Sequence, residues 1–208
     1  MFEENFKEHD DEFLVILDKI EQKKRKLLIL DLDNTLIFTN TEESVSATSR
    51  EKEDFQIMFD EKCYFYGYKR PHLDKFIDYI IQYFDIAVWS AGNEYYVNSI
   101  IDSIFGDRKY LLSFIYNKTH CHKSEHNGNE IWIKYINNIQ SHLPDDIIIL
   151  DDNYYAIFKN INNAIKIKCW KGDKNDNKLL ECIDILDKLK FVDDVKVVIE
   201  ENKYYDGF

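Results

Sequence analysis

Proline and glycine are scarce, at 2 and 6 of 208 residues. That excludes collagen-like and proline-rich architecture. No apolar run approaches the roughly 18 residues a membrane-spanning helix needs, and the opening Met1-Phe2-Glu3-Glu4 lacks the basic-then-apolar order of a signal peptide. Cysteines number four and are scattered (Cys63, Cys121, Cys169, Cys182), which reads as free thiols in a reducing compartment. Positive charge is also short. There are 27 basic residues against 39 acidic ones, a net charge of −12, and the arginines are only Arg25, Arg50, Arg70 and Arg108. Such a chain does not condense broadly on nucleic acid. The composition therefore leads us to expect an intracellular protein of cytoplasm or nucleus, without a membrane segment or direct nucleic-acid binding.

What is present is apolar and aromatic, at 45% and 15% of the chain, enough for a large core. Five short apolar bursts read as buried parallel strands: 26–31, 85–90, 110–115, 147–151 and 164–167. Helical spacing lies between them at 72–83, 94–105, 130–141 and 178–190. Strands alternating with helices predict an α/β fold, a doubly wound parallel sheet covered on both faces. Residues 1–25 carry Phe6, Phe13, Leu14, Leu17 and Ile20 at helical spacing and read as an amphipathic helix. The main domain is expected over 26–200, with a tail at 201–208. Residues 39–68 interrupt the alternation. A polar stretch from Thr39 to Asp54 precedes Phe55, Ile57, Phe59 and then Tyr64, Tyr66, Tyr68 at strand spacing. This is a small β-hairpin inserted after the first strand.

The first, second and fourth bursts end in Asp31, Ser90 and Asp151-Asp152. Ligands of open α/β sheets sit at the carboxyl ends of strands, so these groups converge in one crevice. Asp31, Asp33 and Asp152 would repel one another there unless a cation shared them. A hard divalent ion is the simplest remedy, and Mg²⁺ suits a site that also holds phosphate. Lys134, aimed into the same crevice, would balance phosphate charge.

Asp31-Leu32-Asp33-Asn34-Thr35 is the D-x-D-x-T pattern of aspartate-nucleophile phosphatases in the haloacid dehalogenase superfamily. Lys69-Arg70-Pro71-His72-Leu73-Asp74-Lys75-Phe76, Val88-Trp89-Ser90-Ala91-Gly92 with Tyr95-Tyr96, Ile133-Lys134-Tyr135, Ile149-Leu150-Asp151-Asp152-Asn153 and Phe191-Val192-Asp193-Asp194-Val195 follow in order. Together they resemble the FCP/SCP group, whose members dephosphorylate serines on the C-terminal tail of RNA polymerase II or act on other phosphoproteins. The resemblance covers roughly residues 25–200 and implies a hydrolase with a phosphoprotein or phosphopeptide substrate. It implies that Asp31 attacks phosphorus and becomes an aspartyl-phosphate, and that Asp33 serves as general acid and then base. Thr35, Ser90, Ala91 and Lys134 would meet the phosphoryl oxygens. Mg²⁺ would be held by Asp31, the Asp33 carbonyl and Asp152, while Asp151 orients Lys134 or metal-bound water. A substrate pocket is expected on the hairpin, at Ile57, Phe59, Tyr64 and Tyr66. The chain departs from the group in its closing motif, where Asp152-Asn153-Tyr154 replaces the common Asn-Ser-Pro.

Other readings stay open. A small-molecule or nucleic-acid-end phosphatase could use the same fold, and a phosphopeptide-binding domain could keep the site without turnover. Taken alone, Ser90 is equally suited to cap a helix, and Lys134 to lie on a solvated helix face. His72, beside Pro71, reads as structural. The run His120-Cys121-His122 with His126 fits no standard zinc spacing and reads as a surface loop.

Overall fold

The computed structural model describes residues 25–41, 52–59 and 62–204. Of the expected N-terminal helix only Arg25 is described, and most of the polar stretch 39–54 and residues 60–61 and 205–208 also lie outside the described residues. In chain order the strands are β1 (Lys26–Leu30), β2 (Ile37–Asn40), β3 (Phe55–Phe59), β4 (Lys62–Lys69), β5 (Phe84–Trp89), β6 (Leu112–Tyr116), β7 (His122–His126), β8 (Asn129–Ile133), β9 (Ile147–Asp151) and β10 (Ala164–Lys166). The described α-helices are α1 (Leu73–Tyr83), α2 (Glu94–Phe105), α3 (Tyr154–Ile157), α4 (Lys178–Leu189) and α5 (Val195–Asn202).

Every residue of β1 is buried. It occupies the centre of a five-stranded sheet in the order β10-β9-β1-β5-β6, parallel throughout. Side chains alternate across a strand, so β1 feeds two cores. Leu28 and Leu30 join the apolar stripes of α1, α2 and α4 on one face, while Leu27 and Ile29 join Ala156 and Ile157 of α3 on the other. The α/β fold with a parallel sheet expected from the sequence is therefore present. The strand register carries the same alternation to the sheet's carboxyl edge, where Asp31, Ser90 and Asp151 emerge side by side.

Four local expectations are corrected. Residues 130–141 are not a helix: β7 and β8 form an antiparallel hairpin, followed by a single 3₁₀ turn at Ile136–Asn138. The apolar spacing there fits a helix, but Asn127-Gly128 supplies the positive φ angles, 51° and 78°, of a two-residue hairpin turn. Of the surface loop expected at 120–126, residues 122–126 are strand β7 of the same hairpin, and His120 closes a 3₁₀ turn before it. The third burst begins as a 3₁₀ turn, Gly106–Leu111, so its strand is confined to β6. The tail expected from residue 201 begins inside helix α5, which runs to Asn202 and whose Val195 and Ile199 are fully buried.

The insertion is a three-stranded sheet, β2-β4-β3, one strand more than a hairpin. Directly opposed residues share a face, and the register opposes Phe55 to Gly67 and Ile57 to Phe65. Phe55, Ile57 and Phe65 therefore pack on the main core, and Tyr66 and Tyr68 lie on the other face. Gly67 leaves room for the Phe55 ring, since a Cβ there would sit 2.2 Å from it.

Arg70, 1% exposed, fastens this sheet to the loop after β1. Its guanidinium donates to the carbonyl oxygens of Thr35 (2.9 Å) and Lys168 (2.9 Å), and pairs with both Asp176 carboxylate oxygens (2.7 and 2.9 Å). Burial alone would raise the Asp176 carboxyl, but the guanidinium outweighs it and holds its pKa low. Arg70→Ala is expected to cost about 3–5 kcal/mol, because it strands buried acceptors. Arg70→Lys should recover only part of that, lacking the planar fork. Urea unfolding of the three proteins measures both.

Candidate active site

The loop after β1 is wound tightly. The amides of Leu36 and Ile37 both donate to the Leu32 carbonyl (2.9 and 3.1 Å), that of Asn34 donates to Ile37 (2.7 Å), and Asn34 takes a positive φ of 60°. Asp31 is anchored by its amide to the Leu150 carbonyl at 3.0 Å. Its carboxylate accepts from Lys134 Nζ at 2.8 Å, and the same ammonium reaches Asp151 Oδ2 at 2.5 Å. Lys134 is 1% exposed and Asp151 fully buried. Burial opposes the lysine's charge, but Asp151 and Asp31 outweigh it and push its pKa up. The Asp151 carboxyl is pushed up by burial and by the Asp31 charge, against the pull of Lys134. Its second oxygen accepts the Asn153 amide at 2.8 Å. Lys134 is thus neither helical nor solvated: it leaves the end of β8 and is fixed by the Lys134–Ala156 backbone bond at 2.9 Å.

Asp33 stands on the loop, and its carboxylate accepts from the Tyr96 hydroxyl. Burial raises its pKa to about 6, with the Asp31 charge adding to the rise and the tyrosine hydrogen bond opposing it. Ser90 follows β5, its amide bonded to the Tyr116 carbonyl (3.0 Å) and its Oγ accepting from the Gly92 amide (3.0 Å). Asn93, not Ser90, caps α2. Thr35 is fully buried and braces Asp152: its Oγ1 accepts the Asp152 amide at 3.1 Å and donates to Oδ1 at 3.4 Å. Its side chain is spent inside the loop and does not reach the cleft.

A cleft of about 960 Å³ opens above these groups. Asp31, Asp33, Ser90, Ala91, Lys134, Asp151 and Asp152 line it. The expected pocket residues do not. Ile57 is buried in the core, and Phe59 and Tyr64 are exposed with Tyr95 in an edge-to-face cluster at the hairpin's end. Tyr66 lies on the far face of β4. The insertion contributes Phe65 instead, because the register, not the tyrosine stripe, decides which side chains face inward. The opposite wall comes from β8 and α3, including Glu130, Trp132, Tyr154 and Tyr155. Tyr154 stands in the closing motif, but none of the four was a pocket candidate from the sequence; Asn127-Gly128 is the signal that marks the hairpin.

Among the described residues, the one group able to hold a metal ion is Asp31, Asp151 and Asp152, with ligand oxygens within 4.8 Å of one another. Three carboxylates face one ammonium. An oxygen-only set with surplus negative charge fits a hard divalent cation. Both Asp151 oxygens are already engaged, so Asp31 and Asp152 are the two left to bind. The histidines do not converge: His120 stacks on Tyr116, His122 meets Tyr135 and His126 meets Tyr155. His72 is exposed and contacts Asn177 at 3.1 Å.

A parallel α/β sheet with paired aspartates after its central strand, a buried lysine and a closing acidic pair defines the class: a phosphatase of haloacid dehalogenase-like fold. The described fold is similar to that of Fcp1, an essential RNA polymerase II CTD phosphatase, with a TM-score of 0.54 and 17% identity. That alignment covers 83% of this chain but only 51% of the Fcp1 chain, about half its length, and is a likeness of fold. The chain belongs to the NLI interacting factor-like phosphatase family, whose pattern matches residues 26–196. It is 33% identical over 190 residues to CTD nuclear envelope phosphatase 1 of Xenopus tropicalis, covering 89% of this chain and 75% of that protein. With the CTD nuclear envelope phosphatase 1 homolog of Drosophila melanogaster it shares 34% over 184 residues, 86% of this chain and 73% of the other.

These relatives correct the expected location. They are named for the nuclear envelope, whereas the sequence reading placed the chain in cytoplasm or nucleus, away from membranes. That reading rested on the lack of a long apolar run, which tests only for a spanning helix. No helix among the described residues is long and apolar enough to cross a membrane.

Removing the ammonium leaves two buried carboxylates without a counter-charge. Lys134→Met is expected to cost about 3–5 kcal/mol of stability, and Ser90→Ala only about 0.5–1.5 kcal/mol. Denaturant unfolding with a chelator present makes the comparison.

Proposed function

We propose that the protein is a Mg²⁺-dependent phosphomonoesterase that removes phosphate from phosphoserine or phosphothreonine in proteins, through an aspartyl-phosphate on Asp31. The observation that carries this reading is the Asp31 carboxylate held 2.8 Å from the buried Lys134 ammonium, at the floor of an open cleft and two residues from Asp33.

Asp31 is held with one oxygen on Lys134, which leaves the other to attack phosphorus in line with the leaving oxygen. The bond to the serine or threonine oxygen breaks as the new one forms, and Asp33 protonates the departing alkoxide. Asp33 then takes a proton from the water that hydrolyses the acyl phosphate, freeing inorganic phosphate and restoring Asp31. Lys134 offsets charge on the phosphoryl oxygens, with the Ser90 hydroxyl and the amides around Ala91 as further donors. Thr35 serves by holding Asp152 in place. The Asp31 and Asp152 carboxylates, with the Asp33 carbonyl, would hold Mg²⁺, which would supply charge neutralisation at the transferring group. Asp151 keeps Lys134 oriented and charged.

Two observations support a protein substrate over a metabolite. The cleft is open and larger than a phosphate requires, and its outer walls offer Phe65, Trp132, Tyr154 and Tyr155 to residues flanking a phosphoserine. Relatives named CTD nuclear envelope phosphatase point the same way. The net charge of −12 disfavours nucleic-acid ends.

A phosphopeptide panel beside a phosphometabolite panel tests the substrate class, and preferential turnover of metabolites would overturn it. Asp31→Asn is expected to abolish turnover while the protein stays folded, since an amide cannot form the acyl phosphate. Activity near that of the wild type would sink the mechanism. Asp33→Asn should slow phosphoserine peptides more than p-nitrophenyl phosphate, whose leaving group needs less protonation. Millimolar Mg²⁺ should raise the melting temperature, by about 2.7 kcal/mol of added stability at a hundredfold excess over Kd. Asp152→Asn should lose most of that shift and Asp33→Asn little of it, because only the Asp33 backbone is a ligand.

A further inference from the structure

Tyr96 takes no part in the chemistry above, yet it meets three elements at once. It lies in the first turn of α2, its amide bonded to the capping Asn93 side chain at 2.9 Å. Its ring stands edge-on to Phe65 of β4, with centroids 5.3 Å apart. Gly92 leaves the ring its seat, since a Cβ there would lie 2.7 Å from Tyr96 Cδ1. Its hydroxyl donates to Asp33 and meets Thr39 Oγ1 of β2 at 2.9 Å.

The direction of this chain follows from proton count. A phenol has one proton. The hydroxyl lies within hydrogen-bonding reach of both the Asp33 carboxylate and Thr39 Oγ1, and it can give that proton to only one of them. If it is given to the Asp33 carboxylate, the Thr39 hydroxyl must donate to Tyr96. The order is Thr39 to Tyr96 to Asp33, running from the insertion sheet to the catalytic loop. Asp33 Oδ1 is held by the tyrosine, which leaves the other oxygen unclaimed by it, and Asp33 lines the cleft together with Asp31.

We propose that Tyr96 is a positioning residue for Asp33, and that Thr39 sets the orientation of its hydroxyl, so that the insertion sheet fixes where the proton donor stands. This rests on the reading of Asp33 as proton donor and adds two residues to it. A misplaced donor costs most where the leaving group most needs its proton. The dependence on leaving group therefore separates positioning from a structural role, which would lower all substrates alike.

The test uses the full chain with Mg²⁺ and two small substrates, phenyl phosphate and p-nitrophenyl phosphate, so that peptide recognition plays no part. Phenolate is the more basic leaving group. Tyr96→Phe keeps the ring on Phe65, and its melting temperature is measured alongside. We expect its kcat to fall about tenfold on phenyl phosphate, with a loss several-fold smaller on p-nitrophenyl phosphate and little change in KM. Thr39→Val should show the same selectivity at smaller size. The double variant should be no worse than Tyr96→Phe, because Thr39 acts through the hydroxyl already removed. Equal losses on both substrates, a change confined to KM, or no change would overturn the proposal for Tyr96. Additive losses in the double variant would overturn the relay from Thr39. Asp33→Asn is run in parallel. If it shows the leaving-group selectivity and Tyr96→Phe does not, the tyrosine proposal alone is wrong. If Asp33→Asn shows none, the assignment of Asp33 as proton donor fails, and this proposal fails with it.

Discussion

A buried ammonium shared by two buried carboxylates is the interaction on which the site depends. Lys134 lies 2.8 Å from Asp31 and 2.5 Å from Asp151, at the ends of adjacent parallel strands. The ammonium is the counter-charge that two carboxylates so close together in a dry interior require. The lysine is held in turn by the β7–β8 hairpin and by α3, through the Lys134–Ala156 backbone bond. Asn160 donates to the carbonyl of Lys134 from a neighbouring turn. The half of the domain that the sequence describes least well is therefore the half that positions the charge the sheet requires.

The opposite side is governed by hydrogen bonds more than by charge. Arg70 spreads one guanidinium over the Thr35 and Lys168 carbonyls and the Asp176 carboxylate. It thereby joins the loop after β1 to the segment entering α4. Thr35 passes that order to Asp152, and Tyr96 ties Asp33 to α2 and the insertion sheet. Each acid has its own brace, built from a different part of the chain. Close approach of the carboxylates is tolerated because Lys134 and these braces hold them in place.

The insertion sheet illustrates how strand register decides which side chains face inward. Counting residues along β4 puts Tyr64, Tyr66 and Tyr68 on one face, which suggests a recognition surface. Pairing with β3 opposes Phe65 to Ile57 and Gly67 to Phe55, and shifts beyond Ile57. The inward face is then phenylalanine and isoleucine. Three other large aromatic side chains lining the cleft come from the wall formed by β8 and α3, where Trp132, Tyr154 and Tyr155 stand.

By itself the sequence determined the parallel sheet, because fully buried strands such as Leu27–Leu30 read as unbroken apolar runs. It also determined that Asp31, Ser90 and Asp151-Asp152 meet, because each directly follows or closes such a strand, and strand ends converge in this architecture. The helices α1, α2 and α4 were legible from apolar spacing. The tertiary structure alone decided the rest. Residues 130–141 carry a helical spacing, but the Asn127-Gly128 turn and the cover needed over Leu27 and Ile29 draw them into a strand and a 3₁₀ turn. The tyrosine stripe is real in the sequence, yet which face is buried depends on the partner strand's register. Thr35 looks like a ligand, but three-dimensional packing turns its hydroxyl inward to Asp152. Tyr96 lies 63 residues from Asp33, a separation that no local pattern reports, so its place beside Asp33 comes only from the packing of α2 against Phe65 and Thr39 of the insertion sheet.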